Sequence, residues 1–220
     1  MKSGLIFDVD GVLADTESLI AQATIEMYRE LYGVQLTKAD LRPFIGTGAV
    51  RYTEGPAEKL GIKIDLHKAL AKRYDNFLRL LHSGDSITMP GALELIEAAA
   101  ASPDWKLAIA TSSPAQKARA TLDVAHVPLD KFTAFVNGDM VKRKKPDPEI
   151  YVITAACLAL PPGRCVVVED AVTGVAAAKA AGMKCLAVTN SFSAKELAEA
   201  NFIVDTLAEV NLATLAGLIG

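Results

Sequence analysis

The sequence predicts an α/β fold in which helices cover both faces of a doubly wound parallel sheet, with a separate helical segment inserted after the first strand. Short apolar runs alternate along the chain with helical patterns, and these runs are apolar at nearly every position. Strands of that kind are buried on both faces, as in parallel sheets covered by helices. The inserted segment follows from a long helical stretch before the second strand, because a parallel crossover needs only one helix.

Five apolar runs are predicted to be strands of a Rossmann-like core. They cover residues 5–9, 107–111, 134–137, 165–169 and 185–189. Helical patterns alternate with the later strands, at residues 92–100, 115–124, 148–158 and 172–181. Gly182 follows the last of these patterns and fits the position just past a helix end, where glycine is common.

Between residues 16 and 83 the apolar residues recur with helical spacing instead. One stripe contains Leu19, Ile20, Ala23, Met27 and Leu31, and a second contains Leu70, Tyr74, Phe77, Leu78 and Leu81. We therefore expect two domains, an α/β core of residues 1–15 and 84–220 and a helical cap of residues 16–83, with joints near 14–16 and 83–85. A cap hinged over a cleft excludes water from the cleft when it closes.

The composition limits the classes of function. The chain has 220 residues, of which 51% are hydrophobic and 22% charged, and its net charge is −3. Such a chain has ample core material, and it carries no basic field that would attract nucleic acid or an anionic membrane. We expect neither partner, and we expect a monomer or a weak homodimer.

No signal peptide or transmembrane pattern is visible in the sequence, so we expect a cytoplasmic protein. The cysteines, Cys157, Cys165 and Cys185, are odd in number and fit small, reduced core residues rather than a disulfide framework. The histidines have no metal-ligand spacing with a cysteine.

Two acidic residues, Asp8 and Asp10, end the first apolar run, and Gly11 follows them. Side chains two apart on a strand point to one side, so both carboxylates are expected in one cleft at the strand's carboxyl end. Like charges about 4 Å apart repel by roughly 4 kcal/mol at an effective dielectric near 20, which favours a bound cation or a shared proton. An ordinary turn is the alternative for this motif alone. An EF-hand loop is excluded, because its glycine and glutamate positions hold Leu13 and Leu19.

Two further motifs follow the second and third strands. The hydroxyl and N–H groups of Thr111, Ser112 and Ser113, next to a helix start, predict an anion pocket or a simple N-cap. Lys145 ends a basic run, and the sequence Lys-Pro-Asp-Pro fixes its local backbone. Residues 142–144 fit a solvated face, whereas a lysine held in an anionic cleft would neutralise carboxylate or phosphoryl charge.

Glu169 and Asp170 end the fourth strand. Asp170 alone could simply cap the next helix, but Asp8 and Asp10 lie at an equivalent strand end. A shared divalent cation explains the four acids better, and oxygen ligands without histidine or thiolate indicate Mg²⁺.

With these four motifs, in this order, the chain resembles the haloacid dehalogenase superfamily of phosphotransferases, in the branch of β-phosphoglucomutases and phosphoglycolate phosphatases. The matching residues are Asp8-Val9-Asp10-Gly11-Val12, Thr111 with Ser112, Lys145 in Lys145-Pro146-Asp147-Pro148, and Glu169-Asp170 with Gly174 and the stretch 176–182. The resemblance covers nearly the whole chain in its core and the cap more loosely.

The resemblance implies a role for each acid. Asp8 would be the nucleophile that forms an aspartyl-phosphate, and Asp10 would protonate the leaving oxygen and then deprotonate the attacking water. The Asp8 carboxylate, the Asp10 carbonyl oxygen and Asp170 would bind Mg²⁺, with Glu169 nearby or acting through water.

It also implies that Thr111, the Ser112 N–H and Lys145 hold the phosphoryl oxygens. Two departures favour a hydrolase over a sugar phosphomutase. Mutases of this branch have a histidine where this chain has Ile20, and an arginine where it has Ala49.

Substrate choice is expected to depend on the loop of residues 44–51. Gly46, Thr47, Gly48 and Arg51 are the candidate substrate-binding residues there, because glycines let the backbone approach a ligand and arginine binds phosphate or carboxylate. A plain loop is the alternative.

The sequence thus predicts a Mg²⁺-dependent phosphatase for a small phosphorylated metabolite, such as a sugar phosphate or a phosphoglycolate-like ester. The alternatives are a sugar phosphomutase and a non-catalytic module that binds a phosphorylated metabolite. Free phosphate, an isomeric ester or tight binding without turnover would distinguish the three.

Overall fold

The structure is a computed structural model that describes residues 2–84 and 86–220. Within these residues, six strands form one sheet in the order β3-β2-β1-β4-β5-β6, and all neighbouring strands are parallel. The strands are β1 (Ser3–Phe7), β2 (Trp105–Ala110), β3 (Ala134–Val136), β4 (Cys165–Glu169), β5 (Lys184–Val188) and β6 (Phe202–Val204). The predicted doubly wound α/β fold is confirmed. The strand order reverses between β1 and β4, and open parallel sheets bind ligands outside the carboxyl ends at such a point.

The helices of the described residues occur in two groups. Between β1 and β2 lie α1 (Glu17–Tyr32), α2 (Lys38–Leu41), α3 (Ala49–Leu60), α4 (Leu66–Leu81) and α5 (Ala92–Ala101). The later helices are α6 (Ala115–Val124), α7 (Glu149–Leu158), α8 (Val172–Ala180) and α9 (Leu212–Ile219). The predicted helical stretch before the second strand is therefore present as α1 to α4.

The sheet is covered on both faces, as its apolar strands predict. Leu5 and Phe7 of β1 belong to one buried cluster, whereas Ile6 between them belongs to a second. The same alternation occurs in β4, where Val166 and Val167 enter different clusters. Because the sheet is buried on both sides, its carboxyl edge is the part of the core that can present polar groups to a ligand.

Two connections join α1–α4 to the rest of the chain, and they lie side by side. The Asp15 N–H donates to the Ile87 carbonyl at 2.7 Å, and the Met89 N–H donates to the Leu13 carbonyl at 3.1 Å. This pairing is close to the joints predicted at residues 14–16 and 83–85, of which Asp85 lies outside the described residues.

The structure differs from the sequence prediction at some strand ends and in one strand. The strand β1 ends at Phe7, so Asp8 is the first residue beyond it rather than part of it. The sequence analysis missed β6, a three-residue edge strand whose Phe202 is 41% exposed, because so short a run has no clear periodicity.

Cys165 and Cys185 are buried, as predicted, whereas Cys157 is exposed, and all three are free thiols. Among the described residues, no helix is both long and apolar enough to span a membrane.

Candidate active site

A cavity of about 60 Å³ lies at the carboxyl ends of β1, β2 and β4, between them and helices α1, α3 and α4. Most of the residues singled out in the sequence line it. They are Asp8, Asp10, Gly46, Gly48, Thr111, Ser112, Ser113, Lys145, Glu169 and Asp170. The topology explains this convergence, because parallel strands bring their carboxyl ends to one edge of the sheet.

Lys145 joins two of the acids. Its Nζ donates to Asp8 Oδ1 at 2.7 Å and to Glu169 Oε1 at 2.6 Å. The Tyr151 hydroxyl donates to the same Glu169 oxygen at 2.6 Å. Burial raises the pKa of Asp8 to about 7. The charge of Lys145 acts to lower this pKa, and repulsion from Glu169 acts to raise it further. The pKa of Lys145 is also raised, because the two carboxylates outweigh the effect of its burial.

Asp8, Glu169 and Asp170 form a buried acidic cluster in which one oxygen of each lies within 4.8 Å of the others. Burial, followed by repulsion from Glu169, raises the pKa of Asp170 well above its ordinary value. Ser191 Oγ donates to Asp170 Oδ2. The donor set of carboxylate oxygens suits a hard cation such as Mg²⁺, which would relieve the repulsion. The cluster could therefore hold the metal ion.

Gly11 lets the chain turn close to this cluster. Its φ of +79° is a conformation that residues with a Cβ rarely adopt. A Cβ at this position would lie 1.9 Å from Asp170 Oδ2. The glycine of the first motif thus leaves room for the acid that ends β4.

Asp10 has a different environment from the other acids. Its carboxylate accepts hydrogen bonds from Thr16 Oγ1 at 2.5 Å, Ser113 Oγ at 2.6 Å and Lys117 Nζ at 2.6 Å. Burial acts to raise the pKa of Asp10, but the charge of Lys117 and these donors outweigh it and the pKa is lowered. Asp10 is therefore held as a carboxylate.

Sequence reasoning missed Lys117, which is 5% exposed and lies in the first turn of α6. Its Nζ also donates to Ser113 Oγ at 3.0 Å. The signal was the spacing: a lysine four residues after Ser113 lies on the same side of a helix start as that serine.

The loop after β2 presents hydroxyl and N–H groups to the cavity. The Ser113 N–H donates to Thr111 Oγ1 at 3.1 Å, which fixes the turn. A Cβ at Gly138 would lie 2.3 Å from the Ser112 carbonyl oxygen, so a glycine allows the neighbouring loop to pack here. Ser112 Oγ is buried without a hydrogen-bond partner among residues 2–84 and 86–220. An oxyanion in the cavity would supply that partner.

The structure brings only part of the 44–51 loop to the cavity. Gly46 and Gly48 line it, with φ of +78° and +89°. Thr47 and Arg51 are not among its lining residues. Thr47 Oγ1 donates to the Phe44 carbonyl at 2.6 Å, and the half-exposed Arg51 pairs with Glu58 at 2.5 Å.

Other side chains of α1, α3 and α4 line the cavity where Thr47 and Arg51 were expected. Glu17, Tyr52 and Arg73 line the cavity, and the Tyr52 hydroxyl donates to Glu17 Oε1 at 3.1 Å. Burial raises the pKa of Glu17 to about 7. Ile20 and Ala49 also line the cavity, at the two positions where the sequence departs from the mutase pattern.

Several known proteins are similar to this chain in sequence. Protein CbbY of Cereibacter sphaeroides is 34% identical, with 99% of this chain and 97% of that protein covered. The phosphorylated carbohydrates phosphatase of Thermotoga maritima is 38% identical, with 82% of each chain covered. Protein SUPPRESSOR OF QUENCHING 1 of Arabidopsis thaliana, a chloroplastic protein, is 35% identical over 96% of this chain, which spans only 20% of that protein.

A solved structure shares the fold over its full length. The crystal structure of a CbbY mutant from Rhodobacter sphaeroides, in complex with xylulose-(1,5)bisphosphate, has a TM-score of 0.86 and 29% identity, with 98% of this chain and 99% of that chain covered. The model of the haloacid dehalogenase-like hydrolase family matches residues 5–188, which include β2 to β5 and most of β1. The chain therefore belongs to the haloacid dehalogenase-like hydrolases, and within them to the enzymes that act on phosphate esters.

Proposed function

We propose that this enzyme is a Mg²⁺-dependent phosphatase of small sugar phosphates and that it works through an aspartyl-phosphate on Asp8. The observation that carries the proposal is the buried contact of Lys145 with Asp8 and Glu169, two members of the acidic cluster. Relatives named for phosphorylated carbohydrates and for a complex with xylulose bisphosphate support sugar phosphates as the substrate class.

Asp8 would attack the phosphorus atom and displace the sugar oxygen. Lys145, the Ser112 N–H and hydroxyl, and Thr111 would bind the phosphoryl oxygens, whose charge must be balanced during transfer. Lys145 also keeps Asp8 oriented, since it holds Oδ1 and leaves the second oxygen for attack. Ser113 is occupied with Asp10, so its proposed part is to position that acid.

Asp10 would transfer the protons. In the first half-reaction it would protonate the leaving sugar oxygen, and in the second it would take a proton from the water that hydrolyses the aspartyl-phosphate. The carboxylate held by Lys117 is in the protonation state that the second step requires.

The Asp8 carboxylate, the Asp10 carbonyl oxygen and Asp170 would hold Mg²⁺, with Glu169 nearby or acting through water. When bound, the ion would neutralise charge on the phosphoryl group.

We further propose the division into a core of residues 1–15 and 84–220 and a cap of residues 16–83. The paired connections near the two joints support that division.

The test is phosphate release from a panel of sugar phosphates, with Mg²⁺ and with a chelator. We expect stoichiometric phosphate and free sugar, with loss of activity in the chelator and recovery on adding Mg²⁺. Accumulation of an isomeric ester without phosphate would instead indicate a mutase. Tight binding of one ester without any turnover would indicate a binding module.

A further inference from the structure

Arg73 is a buried cation that makes no described ion pair, although Asp10 and Glu17 lie near enough to act on its pKa. It lies on α4, is 9% exposed, and makes no hydrogen bond or ion pair that is found among residues 2–84 and 86–220. Its guanidinium carbon lies 5.6 Å from the centroid of the Tyr52 ring. A buried charge without a partner is destabilising, so its presence calls for a ligand.

The other two cations of the site are already paired. Lys145 contacts Asp8 and Glu169, and Lys117 contacts Asp10. Arg73 is therefore the lining cation whose charge no described side chain neutralises directly. A guanidinium has five donors and no acceptor, and a phosphate or carboxylate is the group that matches it best.

Arg73 lies where the catalytic cavity meets a larger one. The second cavity has a volume of about 420 Å³ and lies between α4 and the start of α6. Arg73, Lys117, Ile20 and Ala49 line both cavities. A substrate whose phosphoryl group is held at Asp8 therefore has room to extend past Arg73.

The larger cavity also contains His67, Gln116 and Asp139, and the Asp139 carboxylate already accepts the Ala115 N–H at 2.8 Å. Glu17 accepts a hydrogen bond from Tyr52, and its carboxyl group can accept further bonds from sugar hydroxyls. The larger cavity is otherwise lined mainly by apolar side chains such as Leu70 and Phe77. A second anionic group would find its strongest partner in Arg73.

We propose that Arg73 binds a second anionic group of the substrate, a phosphate or a carboxylate distal to the reacting phosphoryl group, and so selects doubly anionic phosphate esters. This inference rests on the proposed phosphatase activity for the reacting end of the substrate. It assigns to α4 the anion-binding part that the sequence analysis gave to Arg51.

The experiment compares the full chain with Arg73→Gln, Arg73→Lys and a control, Arg29→Gln, which changes a half-exposed arginine of α1. Each protein is assayed with fructose 6-phosphate against fructose 1,6-bisphosphate, and with glucose 6-phosphate against 6-phosphogluconate. The first pair reports on a second phosphate and the second pair on a carboxylate. p-Nitrophenyl phosphate gives the activity on a single anion.

We expect wild type to prefer the doubly anionic member of at least one pair. Arg73→Gln should lower kcat/KM for that ester about 10- to 100-fold, mainly through KM, because a hydrogen bond to a charged group is lost. Its kcat/KM for p-nitrophenyl phosphate should fall less than that for the doubly anionic ester, and Arg73→Lys should keep part of the preference. The Tm should stay the same or rise, since a buried unpaired charge is removed.

An equal loss on single and double anions, with a lower Tm, would mean that Arg73 merely packs on Tyr52, and the proposal would be overturned. So would a wild type that prefers neither doubly anionic ester. If wild type hydrolyses no ester, the proposed function fails, and the subsite is judged separately by thermal shift with fructose 1,6-bisphosphate in metal-free protein. A shift that Arg73→Gln abolishes and Arg29→Gln keeps would support the subsite, and any other result would overturn it.

Discussion

Lys117 Nζ lies 2.6 Å from Asp10 Oδ1, so a buried ion pair links the first turn of α6 to the loop after β1. Burying two charges costs much of what their attraction returns, so such a pair is weak evidence for a role in stability. Its effect on protonation is clear, because it keeps Asp10 ionised in a cavity that would otherwise favour the neutral acid. The pair therefore sets the charge of the group proposed to transfer protons.

Lys117→Met should change the pH dependence of the reaction. Without the ammonium group, burial dominates and the pKa of Asp10 rises. Hydrolysis of the aspartyl-phosphate needs the Asp10 carboxylate, so the acidic limb of that step should move to higher pH, and its rate in single-turnover assays should fall more at pH 5.5 than at pH 8. The control is Lys142→Met, which removes an exposed lysine. A uniform loss at all pH values would contradict this role.

Asp8→Asn should abolish phosphate release while the chain still folds. The substitution removes the proposed nucleophile and one charge of the acidic cluster, so the Tm of the metal-free protein should rise or stay unchanged. Asp123→Asn changes an exposed aspartate of α6 and should leave both properties as in wild type. Substantial residual turnover by Asp8→Asn would rule out an aspartyl-phosphate mechanism.

Gly11→Ala tests the close approach of the first loop to Asp170. The added Cβ would lie 1.9 Å from Asp170 Oδ2 at a φ of +79°. We expect a loss of about 2–4 kcal/mol in the free energy of unfolding, from both backbone strain and the clash, together with weaker Mg²⁺ binding. Urea unfolding and Mg²⁺ titration measure the two effects.

Gly33→Ala is the matched control for that variant. Gly33 has a φ of +67°, but a Cβ there would have no neighbour within 4 Å. It should therefore cost only the backbone term, about 1 kcal/mol, and leave Mg²⁺ binding unchanged. Equal losses in the two variants would mean that contact with Asp170 is unimportant.

Mg²⁺ should stabilise the protein more at pH 8 than at pH 5.5. Burial raises the pKa of Asp8 to about 7 and that of Asp170 well above its ordinary value, so the folded state binds more protons than the unfolded state. The metal-free protein should then lose stability as pH rises from about 4 through 7. Bound Mg²⁺ would replace those protons and reverse the loss.

Thermal melts with Mg²⁺ and with a chelator, at both pH values, measure this effect. Glu17 has a pKa raised to about 7 by burial and adds to the same trend without belonging to the cluster. The variant Glu17→Gln shows how much of the pH-dependent change in stability comes from Glu17. A Mg²⁺ shift that is independent of pH would contradict the prediction.

The sequence was sufficient to predict the fold and the residues at the strand ends. Asp8, Glu169 and Asp170 meet because strand order and direction bring the ends of β1 and β4 to one edge, and Lys145 reaches them from the connection between β3 and α7. Their roles in catalysis and metal binding stay predictions, as do the domain limits.

The residues on helices were harder to predict, because the rotation of a helix about its axis depends on tertiary packing. Arg73 carried one signal: it lies three residues after Leu70 and four before Phe77, so it falls on the apolar stripe of α4. A charged residue on such a stripe indicates a buried cation. Arg51, chosen for its nearness to two glycines, instead turns to Glu58 on the surface.

The connection through Leu13 and Asp15 on one side and Ile87 and Met89 on the other has a mechanical consequence. The antiparallel bridge between Ala14 and Thr88 ties these connections into a short ribbon, which bends more easily across its thin direction than within its plane. Helices α1–α4 would then tilt about one axis rather than swing freely. One side of that ribbon directly follows Asp8 and Asp10 in the chain. A tilt of the helices would therefore move backbone that is adjacent to the reacting carboxylates.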